Sequence, residues 1–113
     1  MWRSGGKGEF YTYTPPFTVP GFEENESQCS VPPLSDCNPE FGNSVGRGAF
    51  NFRAGTRTTV AERIRLNDVG KANGEIELWV NGESVIEATG LILRGQASGR
   101  IRGLMMQTFF GGA

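Results

Sequence analysis

The chain has 113 residues, 11 Lys+Arg against 12 Asp+Glu, and no histidine. That length allows one domain, and a net charge of −1 with a pI near 5.4 gives no basic field for nucleic acid. The missing imidazole excludes His-based triads and His metal sites, two cysteines are too few for a four-ligand zinc site, and no apolar run is long enough to cross a membrane.

Any acid–base chemistry therefore falls to Tyr, Lys, Asp or Glu. No signal peptide is visible, because Met1-Trp2-Arg3 runs straight into a turn and a strand. Residues 1–14 read as a hairpin about Gly5-Gly6-Lys7. If Ser4 faces Gly8, then Arg3 faces Glu9 as a cross-strand pair of opposite charge, and Met1 faces Tyr11. The return strand carries Tyr11-Thr12-Tyr13. Side chains alternate along a strand, so Glu9, Tyr11 and Tyr13 share one face with Arg3, while Phe10 and Thr12 take the other. Two adjacent phenols on a polar face can stack on sugar rings or exchange protons. They are also ordinary residues for a half-buried strand.

Residues 15–45 read as a long loop that holds all six prolines and the acidic cluster Glu23, Glu24 and Glu26. Cys29 and Cys37 are placed to close a small ring within it. Asn25-Glu26-Ser27 is an N-glycosylation sequon. A cysteine pair and a sequon in one exposed loop favour an oxidising, secreted setting; the bland alternative is two free thiols and a chance sequon.

From Gly46 onward the pattern is strand after strand. Phe50 and Phe52 oppose Asn51 and Arg53. Residues 58–67 alternate Val60, Ile64 and Leu66 against Ala61, Arg63, Arg65 and Asn67. After a polar turn at 67–74, residues 75–80 lead into Asn81-Gly82, a strong hairpin signal, and 83–88 return. A short strand is predicted at 91–94. Residues 100–110 are apolar on both faces and read as a central, covered strand, with Gln107 as its one strongly polar side chain, either hydrogen-bonded inside or facing a cleft. About seven strands at hairpin spacing, seventeen glycines and no convincing helix predict an all-β domain over 1–113, an antiparallel β-sandwich or jelly roll. Arg63 and Arg65, on one face with Asn67, read as a solvated outer face balanced by Glu62, the alternative being forks for the carboxylates of an acidic chain; Trp79 reads as a cap on the core or a sugar platform.

Several stretches, in order and over nearly the whole chain, resemble polysaccharide lyase family 14. They are Met1-Trp2-Arg3-Ser4-Gly5-Gly6-Lys7-Gly8-Glu9-Phe10-Tyr11-Thr12-Tyr13, Gly46-Arg47-Gly48-Ala49-Phe50-Asn51-Phe52, Val60-Ala61-Glu62-Arg63-Ile64-Arg65-Leu66-Asn67-Asp68-Val69-Gly70, Asn73-Gly74-Glu75-Ile76-Glu77-Leu78-Trp79-Val80-Asn81-Gly82 and Arg102-Gly103-Leu104-Met105-Met106-Gln107-Thr108-Phe109-Phe110-Gly111-Gly112. The cysteine loop is similar to the fungal branch in particular. The resemblance implies a jelly roll whose concave sheet binds acidic polysaccharides such as glucuronan or alginate and cleaves them by β-elimination, without metal or cofactor. It places the family's phenolic base and acid on Tyr11 and Tyr13. A free phenol titrates near about 10, so cations must help it ionise. The family supplies them through a lysine and an upstream Ser-x-Arg motif, which also neutralise the substrate carboxylate.

By spacing, that motif would end just before Met1, so the chain reads as a fragment shortened at both ends. It keeps the acid–base pair without its usual carboxylate neutraliser. Arg57 stands where relatives often have tryptophan. Arg3 is the expected stand-in cation, with Glu9 and Gln107 as further substrate-binding residues. The competing expectations are a non-catalytic carbohydrate-binding module and a purely structural β-sandwich. Exposed sheet edges in a shortened sandwich also predict self-association by strand pairing, which light scattering would detect.

Overall fold

The structure is a computed structural model and describes residues 1–108. Among the described residues six strands form two antiparallel three-stranded sheets. One sheet has the order β1 (Lys7–Thr12), β3 (Gly42–Asn51), β2 (Asp36–Asn38). The other has the order β4 (Val60–Arg65), β5 (Gly74–Val80), β6 (Glu83–Leu91). Phe10, Val45 and Phe50 of the first sheet meet Ile76, Leu78, Ile86, Ala88 and Leu91 of the second in one buried core. Ile76 and Leu78 on β5, and Ile86 and Ala88 on β6, sit at alternate positions, as period-two patterning requires. The sheets approach closely at Gly46: a Cβ there would lie 2.7 Å from Ile86 Cγ1.

The β5–β6 hairpin turns on Asn81 and Gly82, whose φ angles of 50° and 83° suit that pair. On the outer face Arg63 and Arg65 reach across to Glu75 and Glu77. Trp79 follows Glu75 and Glu77 on β5 and is not among the side chains packed on the core, so it does not cap it. Among the described residues β4 is an edge strand, and its charged residues discourage strand addition there.

Four expectations change. First, the hairpin register is shifted. Met1 and Glu9 exchange backbone hydrogen bonds, and Arg3 N–H donates to Lys7 O, so Arg3 lies diagonal to Glu9 rather than opposite it. Glycines at 5 and 6, both at φ 76°, make the tighter turn.

Second, residues 15–45 are not one loop. They contain a 3-10 helix (Glu23–Ser30), β2, and the start of β3. The Cys29–Cys37 disulfide ties that helix to β2.

Third, 91–94 is not a separate strand, because β6 runs on to Leu91. Beyond it, the N–H of Ile92 donates to Asn25 Oδ1, and those of Leu93 and Arg94 donate to Asn67 Oδ1. Side-chain amides take the donors that a ladder would have used.

Fourth, residues 101–108 form no strand. Leu104, Met105 and Met106 are exposed. A strand apolar on both faces needs ladder partners and a cover on each side, and none of the described strands pairs with residues 101–108. Positions 109 and 110 of that expected strand lie outside the described residues.

Candidate functional site

The tyrosine face is the outer face of the first sheet. Phe10 enters the core and Thr12 turns inward, leaving Glu9, Tyr11 and Tyr13 on the opposite side. The Tyr11 and Tyr13 rings meet edge to face, centroids 5.4 Å apart. Tyr11 is half-buried, and Tyr13 is 81 % exposed. The Tyr11 hydroxyl donates to the Phe41 carbonyl at 2.6 Å. A carbonyl brings no proton, so Tyr11 carries its own in this arrangement.

Three features hold the pair. Asn38 Oδ1 accepts from the N–H groups of Glu40 and Phe41, an Asx turn that fixes the carbonyl facing Tyr11. Gly42 lies beneath both rings at φ 98°; a Cβ there would stand 2.9 Å from Thr12 O and 3.0 Å from Cε1 of each tyrosine. Behind the strand, Thr12 Oγ1 donates to Gln28 Oε1, whose Nε2 donates to Thr14 Oγ1 and Asn25 O. The 3-10 helix thus pins the rear of β1.

Glu9 is the buried charge of this face, 1 % exposed. Arg3 Nε donates to Oε1 at 2.9 Å, while Oε2 accepts from Arg47 Nε at 3.1 Å and Ser44 Oγ at 2.5 Å. Burying a carboxylate without such partners is costly. Glu9 was expected to bind substrate; it is covered by its own partners and has no open side-chain surface for a ligand. Arg3 stays on the face, its Cζ 5.8 Å from the Tyr11 ring centroid, a cation–π distance.

Arg47 arrives through a bulge. Between the Gly8↔Phe50 and Phe10↔Val45 pairs, β1 has one residue, Glu9, and β3 has four, 46–49. Such bulges re-aim side chains. Gly46 and Gly48 take positive φ, 66° and 84°. The donors freed from the ladder are satisfied: Gly46 N–H meets Ser35 Oγ, and Arg47 N–H meets Leu34 O.

Sequence reasoning missed Arg47, Ser44, Gly42 and the Phe41 carbonyl; the flanking glycines of Gly46-Arg47-Gly48 were the available signal. Gln107 is exposed in the irregular segment, and no described contact brings it to the tyrosines. Asn25 is also corrected. It is 1 % exposed, and its Nδ2, the atom a glycan would occupy, donates to Pro15 O and Ile92 O.

A cavity of about 160 Å³ adjoins the pair, lined by Tyr13, Thr14, Pro16, Asn38, Pro39, Glu40, Gly42 and Asn43. A wider depression on the 3-10 helix is edged by Glu23, Glu24 and Glu26, a charge that repels an acidic chain. Among the described residues no cluster of His, Cys, Asp and Glu could hold a metal ion.

Fold and face together define a β-sandwich that presents two phenols and two guanidiniums on one sheet. The whole chain, residues 1–113, matches polysaccharide lyase 14, and the chain belongs to that family. It is similar to the crystal structure of the marine PL-14 alginate lyase from Aplysia kurodai, at 28 % identity and a TM-score of 0.59 over 84 % of this chain. It spans 35 % of that enzyme's length. No curated protein matches the chain.

Proposed function

We propose that the tyrosine face binds a polyuronate of the glucuronan or alginate type and cleaves it by β-elimination. One tyrosine, ionised to its phenolate, takes the C5 proton of a uronate and becomes a neutral phenol. The electron pair forms the C4–C5 double bond, and the C4–O glycosidic bond breaks. The other phenol gives its proton to the departing oxygen. A guanidinium on the carboxylate favours the first step by stabilising the charge that develops as C5 loses its proton. The observation that carries this reading is the Tyr11–Tyr13 pair on one open face with Arg3 against the Tyr11 ring. Support from similarity comes from the family and from the alginate lyase neighbour.

The experiment is product analysis after incubation with glucuronan and with alginate. Elimination leaves one new end lacking a water relative to a hydrolysed chain, which mass spectrometry resolves. Hydrolysed ends, or uncut polymer, refute the proposal. A binding-only module is favoured by one observation: both neighbouring guanidiniums are engaged with Glu9. Retention on immobilised polyuronate without any cleavage would establish it. We also infer that the protein works in an oxidising, extracellular setting, which the Cys29–Cys37 bond supports.

A further inference from the structure

We propose that Arg47, delivered by the bulge at residues 46–49, binds a uronate carboxylate, and that Arg3 and Arg47 form a two-arginine clamp seated on buried Glu9. The inference rests on the reading that the tyrosine face takes a polyuronate.

Charge is the first reason. One carboxylate needs one cation, yet Glu9 has two guanidiniums and the Ser44 hydroxyl. The Arg3–Glu9–Arg47 trio therefore carries one net positive charge beside Tyr11, with Asp36, the β2 partner of Ser44, as the next carboxylate along the face. Geometry is the second. Both arginines meet Glu9 through Nε alone, and among the described residues no partner engages the terminal nitrogens of either. The terminal pair is the edge that takes a carboxylate bidentately. Placement is the third. Ser44 is the cross-strand partner of Tyr11, and Arg47 Nε lies 3.0 Å from Ser44 Oγ, one neighbour from the phenol. Exposure is the fourth. The side chains of Arg3 and Arg47 keep 40 % and 25 % of their surface open, whereas that of Glu9 keeps none. Glu9 is then a positioning residue that aligns both guanidiniums without touching substrate.

The alternative is that Arg47 only neutralises Glu9, and a double variant separates the two. Glu9→Gln removes the charge that would need neutralising, and Arg47→Gln is then added to it. Titration calorimetry uses a short glucuronan oligosaccharide and its carboxyl-reduced counterpart, with melting followed by circular dichroism. The clamp predicts that the unaltered chain binds the acidic oligosaccharide and not the reduced one. It also predicts that the double variant melts close to Glu9→Gln yet binds about tenfold more weakly than Glu9→Gln, the loss expected for a charged hydrogen bond. Equal affinity of those two variants, or equal binding of acidic and reduced sugars, or no binding at all, overturns it. Should the double variant fail to fold, Arg47→Lys keeps the charge without the fork and is expected to lose affinity severalfold. Unchanged affinity there overturns the clamp. Cleavage, measured in parallel, is a separate readout. Arg47-dependent binding without new unsaturated ends leaves the clamp standing and removes the lyase reading; cleavage indifferent to Arg47 does the reverse.

Discussion

Replacing Asn25 should unfold the chain sooner, and no glycan should be found there. The side chain makes three hydrogen bonds: Nδ2 donates to Pro15 O and Ile92 O, each at 2.9 Å, and Oδ1 accepts from Ile92 N–H at 2.7 Å. They join the 3-10 helix to the end of β6 and to the segment after the tyrosines. At about 1 kcal/mol net per bond, Asn25→Ala costs on the order of 3 kcal/mol. For a domain of this size that lowers the melting temperature by on the order of 10 °C. Asn25→Asp keeps the acceptor, but turns an oxygen toward two carbonyls and should be as harmful. Ser27→Ala removes the same sequon while deleting only an exposed 3.3 Å bond to Thr89 O, and should melt like the parent. The assay is thermal unfolding by circular dichroism, with intact mass after expression in a glycosylating host. A parent-like melting temperature for Asn25→Ala, or a glycan on Asn25 of the folded protein, refutes the reasoning.

Other consequences follow from single contacts. Gly42→Ala places a Cβ against both tyrosine rings at a positive φ and should cost roughly 1–3 kcal/mol while displacing the rings; an unaltered near-ultraviolet dichroism spectrum and melting temperature would contradict that. Reducing Cys29–Cys37, eight residues apart in sequence, should cost roughly 2.5 kcal/mol; an unfolding midpoint in denaturant that ignores reductant would argue otherwise. The Asn73 amide, and then Lys71, hold the Asp68 carboxyl below its ordinary 3.8. A carboxyl lowered by folding stabilises above its unfolded value and loses that contribution as pH falls through its folded one. The loss therefore begins below pH 3.8, and Asn73→Ala should lessen it in a pH series of melting temperatures. A series unchanged by that substitution counts against the assignment.

What could be read in the sequence was local. Alternation alone puts Tyr11 and Tyr13 on one face and Phe10 in the core, because a strand has period two whatever its partner. Asn81-Gly82 announces its turn through backbone preference. What escaped was non-local. Glu9 meets Arg47 only because β3 slips three residues against β1, and no single strand encodes its partner's register. Gly42 matters through the Cβ it lacks under two rings thirty residues away in the chain. Asn25 carries a sequon and is a buried clamp; the motif is read on an exposed loop, and burial is decided by Pro15 and Ile92. The run at 100–110 reads as covered because both its faces are apolar, and pattern alone does not supply the neighbours that would cover it.

The central claim is that Tyr11 and Tyr13 are an acid–base pair acting on a polyuronate. The most direct test is ultraviolet absorbance of unsaturated uronate ends when the chain meets glucuronan or alginate, repeated with Tyr11→Phe and with Tyr13→Phe. Each substitution removes one hydroxyl and keeps the ring, so stacking survives and proton transfer does not. The account predicts rising absorbance with the unaltered chain and its loss in both variants. An absorbance rise that either variant retains in full, or no rise with either polymer, would contradict it.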